Sequence, residues 1–233
     1  LGLLLQFQLF PTGTVTPASR RYELLGWAAK QEGRYIIEDE YDSEFRLVGN
    51  PIPALQSIDA SDKVIYMNTF SKSLSSTIRI SYMVLPIPLM VRYNHVLSFY
   101  ACTVSNFDQY TLTRFIQEGY LEKHINRMRK FYRNSRDRIL GCIRSHRLYP
   151  QVTIKEENAG LHFLMEIDTS YTDREMVDRA AAAGINISSL SQYCHGKEQE
   201  DSHTLVINYS GIEEDIIEEA CDRLLESVVC LTT

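Results

Sequence analysis

Metal-ligand spacing is missing from this sequence. Its six histidines include no His-x-x-x-His pair, and His195 and His203 flank a polar loop. The five cysteines, Cys102, Cys142, Cys194, Cys221 and Cys230, are odd in number and contain no Cys-x-x-Cys. That pattern argues against a zinc site and against a disulfide framework, and small buried hydrophobes are expected instead. No metal is expected. Long apolar runs are missing too, since stretches such as residues 2–5 and 83–85 fall far short of the ~20 residues a spanning helix needs. Residues 1–10 have neither a basic n-region nor a small-residue cleavage site, so they do not read as a secretory signal. A soluble, cytoplasmic protein is the expectation. Excess positive charge is also lacking. A net charge of −6 argues against nucleic-acid binding by the chain as a whole.

What is present suits a globular protein with a real core, with 44% hydrophobic and 10% aromatic residues. Thr16-Pro17 reads as a helix start, Tyr22, Leu25 and Ala28-Ala29 recur at helical spacing, and Gly33 reads as the stop. Residues 34–38 hold Tyr35-Ile36-Ile37, the short apolar run expected of a strand buried in a parallel sheet. Residues 64–67 and 80–85 read as further strands, the second stopped by Pro86. Such alternation predicts an α/β layer structure. From Gly119 to Arg147 the apolar residues fall on one stripe, predicting a helix of about 28 residues, roughly 42 Å long. Past Pro150 the pattern predicts strands at 152–155, 161–167, 185–188 and 205–209, with helices at 173–183 and 213–229. This is an α+β unit. The boundary is placed near residue 118, giving domains at 1–118 and 119–233.

Charge is uneven along the chain. Lys123, Arg127, Arg129, Lys130, Arg133, Arg136, Arg138, Arg144 and Arg147 make one segment basic, whereas residues 213–226 are acidic. A solvated face, or a partner to acidic neighbours, is the expected role.

The chemistry concentrates in T-F-S-K-S-L-S-S-T-I-R, which starts at Thr69. Lys72 supplies an amine for a Schiff base, while the flanking hydroxyls and Arg79 suit a phosphate. Upstream, I-I-E-D-E-Y-D-S-E-F-R places Asp39 within an acidic run. A carboxylate beside a pyridine nitrogen keeps it protonated and makes the ring an electron sink. The set points to pyridoxal 5′-phosphate.

These residues support a resemblance. F-P-T-G-T-V-T-P-A-S-R-R (10–21), I-E-D-E-Y-D-S-E-F-R (37–46), T-F-S-K-S-L-S-S-T-I-R-I-S-Y (69–82) and E-G-Y-L-E-K-H-I-N-R-M-R-K-F-Y (118–132) run in order through much of the chain. They resemble the aminotransferase-like half of MocR-type regulators of the GntR superfamily. Those are built on fold type I pyridoxal-phosphate enzymes. The resemblance implies part of a large domain, a mostly parallel sheet with helices, followed by a small α+β C-terminal domain. It assigns Lys72 to the lysine that forms the internal aldimine and shuttles the proton. Asp39 matches the acid paired with the pyridine nitrogen, and Tyr41 the phenol that hydrogen-bonds the ring's 3-hydroxyl. Arg79 matches the phosphate-binding arginine, with Thr69 and Ser71 as the hydroxyls around it. It further implies a homodimer, and DNA contact only through a winged-helix domain that this chain does not carry.

The sequence departs from the family pattern in three places. No Gly-Ser phosphate loop precedes Pro11, so the chain is expected to be incomplete at its N-terminal side and to bind the cofactor weakly by itself. Phe10 stands where aminotransferases often have an asparagine. The strand at 205–209 lacks the arginine that usually holds a substrate carboxylate, with Arg174 and Arg179 as possible substitutes. His162, in the E-N-A-G-L-H turn, is expected to be a packed core residue rather than a substrate-site group. The leading functional reading is therefore an effector-sensing domain of a bacterial transcriptional regulator, binding a small amine, an amino acid or the vitamer at Lys72. The alternatives are a genuine aminotransferase acting on an amino acid, and a structural or dimerisation piece without chemistry.

Overall fold

The computed structural model of the protein describes residues 2–6, 8–40, 43–45, 47, 53–158, 160–194 and 201–230. In chain order, β1 (Gly2–Gln6), β2 (Gln8–Leu9) and β3 (Thr14–Val15) precede helix α1 (Ala18–Ala29). Strands β4 (Tyr35–Glu40) and β5 (Val64–Thr69) follow, and β5 passes directly into the single-turn helix α2 (Phe70–Ser73). Next come β6 (Ser81–Val84), α3 (Ile87–Leu97), α4 (Asn106–Gln117) and the 26-residue α5 (Tyr120–Ser145). The order ends with β7 (Val152–Lys155), β8 (His162–Ile167), α6 (Asp173–Ala182), β9 (Ser188–Ser189), β10 (Thr204–Asn208) and α7 (Ile217–Val228). The chain divides into two compact units, residues 1–7 with 15–128 and residues 8–14 with 129–233.

The first unit is built on a sheet ordered β1-β4-β5-β6. Strands β1, β4 and β5 run parallel, and β6 returns antiparallel to β5. Its apolar cluster joins Ala28 of α1, Ile36 of β4, Val64 of β5 and Leu55 from the segment between these strands, with Leu24, Leu25, Trp27 and Ile58 packed around it. Burying such a side chain stabilises by about 1.5–3 kcal/mol. Pro17 occupies the N-cap of α1 and no side chain caps it, so Thr16 does not play the capping role its sequence suggests. Gly33, at φ 76°, turns the chain from α1 into β4, a conformation that costs a glycine little.

Two helices in this unit have no counterpart in the sequence reading. α3 starts with Pro86 at its N-cap and a proline in its first turn, and α4 is capped by Ser105, whose Oγ accepts from the Asp108 amide at 3.4 Å. Neither helix buries a residue, and all four residues of β6 are exposed. Gly119, at φ 74°, separates α4 from α5.

The second unit is an antiparallel sheet ordered β7-β8-β10-β9. Phe163 of β8 and Tyr209 stack at 6.2 Å, and both are fully buried together with Ile217 and Leu225 of α7. Tyr132, Ile139, Leu140 and Ile143 carry the apolar stripe of α5 into this core. The basic segment meets acidic partners here. Arg138 pairs with Glu218 at 3.1 Å and Arg147 with Glu226 at 3.0 Å. Exposed pairs of this kind contribute about 0–1 kcal/mol each. α6 begins with a capping box, in which the Glu175 amide donates to Thr172 Oγ1 and the Thr172 amide to Glu175 Oε2. The buried Asp173 accepts from the backbone amides of Ser202 and His203. That bond set holds His203 at φ 46° before β10. Among the described residues, no helix is long and apolar enough to cross a membrane.

Candidate functional site

The pleat of β4 sorts the acidic run at its end. Side chains alternate across a strand, so Glu38 and Glu40 face the covered side and are 1% and 5% exposed. Asp39 faces the other side and is half-buried. In register Asp39 lies opposite Met67 and Glu40 opposite Asn68, so Asp39 shares its face with Met67 and Thr69 of β5. Adjacent acids therefore do different work. Glu38 accepts from the Leu55 and Gln56 amides at 2.5 and 2.9 Å and lies 3.8 Å from Arg21, whose guanidinium also donates to the Pro53 carbonyl. Asp39 is left for the open face.

At the end of β5 the hydroxyls and the guanidinium come together. Thr69 caps α2, its Oγ1 accepting from the Ser71 amide at 3.2 Å. Thr69 Oγ1 also lies 3.2 Å from Ser71 Oγ and from the Ile80 carbonyl. Ser71 Oγ donates to the Ile78 carbonyl at 2.8 Å and receives Arg79 Nη1 at 3.3 Å. The Phe70 amide donates to the Ile80 carbonyl, closing the loop between α2 and β6. Lys72 stands in this turn and is exposed, as is Arg79. Arg79 also lines a cavity of about 480 Å³, with Leu74, Ile78, Val104, Asp108 and Phe115 among its other walls.

Thr69, Ser71 and Arg79 are thus brought together on one oxygen, with Lys72 beside them in sequence and Asp39 on the same face of the sheet as Thr69. Two hydroxyls and a guanidinium form a donor set fit for a phosphate ester, and an exposed primary amine fits a carbonyl. Tyr41 lies outside the described residues. Two residues adjoining the turn, Glu44 and Asn68, were not singled out from the sequence. Glu44 sits inside the 37–46 motif and Asn68 directly precedes the 69–82 motif, and their polarity beside a strand end was the available signal.

In the second unit, His162 is 4% exposed, with Nε2 3.1 Å from the Pro11 carbonyl oxygen. Burial holds its imidazole below the ordinary value, the hydrogen bond to Pro11 opposing in part. Phe10 packs edge-on against His162 at 5.1 Å and Tyr193 at 5.0 Å, an apolar role in the place of an amide. No arginine lies on β10, where Val206 is 5% exposed. Arg179 donates through Nε to the Ser227 carbonyl at 2.7 Å and lies 4.2 Å over the Tyr171 ring, so its guanidinium is engaged. Arg174, on exposed α6 surface, lies 3.8 Å from Asp178.

Comparison with known proteins agrees with this geometry. Over 216 residues the chain is 41% identical to the uncharacterized HTH-type transcriptional regulator YdeL of Bacillus subtilis, covering 92% of this chain and 46% of that protein. It is 32% identical to the probable rhizopine catabolism regulatory protein MocR of Rhizobium meliloti, covering 95% and 44%. The chain thus spans about half the length of these relatives. Pyrococcus horikoshii kynurenine aminotransferase superposes with a TM-score of 0.79 at 27% identity, over 97% of this chain and 56% of that one. The fold is that of type I pyridoxal-phosphate aminotransferases. The family profile for aminotransferase class I and II matches residues 10–224. With the sheet, the Lys72 turn and the phosphate-type donor set all present, the chain belongs to the aminotransferase class I and II family.

Proposed function

We propose that this chain is the aminotransferase-like, effector-sensing part of a cytoplasmic transcriptional regulator, and that it holds pyridoxal 5′-phosphate at Lys72. The observation carrying this reading is the convergence of Thr69, Ser71 and Arg79 around Ser71 Oγ beside an exposed Lys72. In it, the hydroxyls of Thr69 and Ser71 and the Arg79 guanidinium would hold the phosphate, and Lys72 would supply the amine for the aldehyde. The Asp39 carboxylate would keep the proton on the ring nitrogen, and Tyr41, by the family motif, would serve the ring's 3-oxygen. When bound, the cofactor supplies an aldehyde that condenses with primary amines and a ring that delocalises negative charge.

The regulator reading is supported by HTH-type regulators at 41% and 32% identity. β10 without an arginine supports sensing over turnover, because a sensor needs to hold an amine or amino acid but not to process it. The full protein is proposed to act as a homodimer and to reach DNA through a winged-helix domain, as the HTH-type relatives suggest. Apolar side chains exposed on α3 and α4, among them Val91 at 65% and Phe107 at 78%, support association with a second subunit.

The second reading, a genuine aminotransferase, is favoured by the resemblance to kynurenine aminotransferase. Borohydride trapping with pyridoxal phosphate, followed by peptide mass spectrometry, tests the site. The pyridoxyl group is expected on Lys72 and absent from Lys72→Ala. Equal labelling of exposed lysines such as Lys30 and Lys123 would overturn the reading. Keto-acid release from an added amino acid would favour turnover over sensing.

A further inference from the structure

Asn68, the penultimate residue of β5, is 4% exposed and faces the covered side of the sheet, opposite Glu40 in register. A buried amide at a strand position is unfavourable unless its hydrogen bonds are made. Here they are. Oδ1 accepts from the Thr69 amide at 2.6 Å, and Nδ2 donates to Glu44 Oε1 at 3.1 Å and to the Tyr66 hydroxyl at 3.0 Å. Glu44 belongs to the short turn Ser43–Phe45, which follows the strand carrying Asp39. Thr69 is the residue whose Oγ1 caps the turn carrying Lys72. One side chain therefore fastens the segment after Asp39 to the start of the Lys72 turn, across 24 residues of sequence.

The surroundings keep this fastening rigid. Burial holds both the Tyr66 and Tyr82 phenols above their ordinary values, so each stays protonated. The two rings lie 6.1 Å apart, and Tyr82 packs at 5.4 Å against Phe70, the residue following Thr69. An aliphatic side chain would satisfy a half-covered strand better than an amide does. The amide is suited to fixing the direction of the backbone that follows it.

We infer that Asn68 and Glu44 are positioning residues, a clamp that sets the Lys72 turn relative to the strand end bearing Asp39. The inference rests on the cofactor reading above for its functional meaning, although the clamp itself is a property of the described residues.

The test has two arms. The first is hydrogen–deuterium exchange across residues 69–74 of the purified protein without added aldehyde. Glu44→Ala and Asn68→Ala are each expected to speed exchange there roughly tenfold, the scale of one hydrogen bond to a charged group. Glu44→Gln keeps an acceptor oxygen for Asn68 Nδ2 and is expected to restore slow exchange. The double variant is expected to be no worse than Asn68→Ala, since both remove one shared bond. The second arm is pyridoxal-phosphate trapping at Lys72, expected to fall with Glu44→Ala and recover with Glu44→Gln. Unchanged exchange in Glu44→Ala overturns the clamp, whatever the trapping shows. Faster exchange with unchanged trapping leaves the clamp purely structural and overturns the positioning role. Failure of the unmodified protein to trap at Lys72 removes the cofactor reading, and with it the positioning role. Should Asn68→Ala not fold, Glu44→Ala, on a partly exposed turn, carries both arms.

Discussion

The two units bury their residues differently. Among the described residues, the first unit buries Ala28, Ile36, Phe45, Leu47, Leu55 and Val64, and almost as many polar ones: Arg21, Glu38, Glu40, Asn68 and Ser73. The second unit buries several times as many apolar side chains, including most of β8 and β10. Parallel sheets are ordinarily covered on both faces. In the first unit, Met83 is 49% exposed, and Ile37, Ile65 and Met67 on the same side are only partly buried. The second unit thus gets its order from packing, and the first gets more of its order from hydrogen-bonded buried polar groups such as Arg21, Glu38 and Asn68. The candidate site falls in the first. Polar order is directional, which is what holding a ligand in one orientation requires.

Breaking the buried ion pair should expose this contrast most sharply. Glu38→Ala leaves the Arg21 guanidinium and the Leu55 amide without their carboxylate, and a loss of about 3–5 kcal/mol is expected. Denaturant unfolding followed by hydrogen exchange should show the loss in peptides of β4 and β5 and little change in β8 and β10. Equal loss in both units would remove the distinction. In the second unit the sensitive groups are apolar. Leu225→Ala, at a fully buried position, is expected to cost about 2–5 kcal/mol in urea unfolding. A value near zero would mean that α7 is not packed as described.

Smaller effects refine the comparison. Thr172→Ala removes the cap of α6 and should cost about 1 kcal/mol, read as a lower unfolding midpoint with an unchanged denaturant slope. The smallest expected effect is a pH dependence from His162. Its folded pKa lies below the ordinary histidine value of about 6.5. The unfolded chain therefore takes up the proton first as pH falls. The stabilising contribution is complete above that value and is lost as pH drops from it toward the lowered folded pKa. Unfolding midpoints measured across this range should decline on the acid side in the unmodified protein, and less so in His162→Gln.

The elements legible in the sequence were those with a covered side. Apolar spacing located α5 within two residues at each end, because its stripe is buried from Tyr132 to Ile143. Strands β4 and β5 were legible from their short apolar runs, though each extends two residues further into polar sequence. The strand expected at 185–188 is only the two-residue β9, since just Ser188 and Ser189 pair with β10. Helices α3 and α4 had no counterpart among the sequence expectations, and neither buries a residue. The antiparallel direction of β6 was likewise not encoded in its residues. Within the site, Lys72, Arg79 and the hydroxyls stood out through close spacing. Asp39 stood out from its acidic neighbours only through the family motif, and the pleat places it on a different face from Glu38 and Glu40, whereas the bond between Glu44 and Asn68 spans too much sequence to be seen in a window.

The sorting of Glu38, Asp39 and Glu40 by the pleat bears on how this strand can change over generations. A substitution at any one of the three alters one face and leaves the other as it was. Inserting or deleting a single residue just ahead of them would turn every side chain beyond that point to the opposite face. Arg21 would then lose Glu38 as its partner, and the open face would carry two acids where it had one. Chemical change is open to this strand one position at a time, whereas change of length alters both faces together. Variation in its neighbourhood is therefore expected as replacements within β4, with gains and losses of residues displaced into the turns on either side.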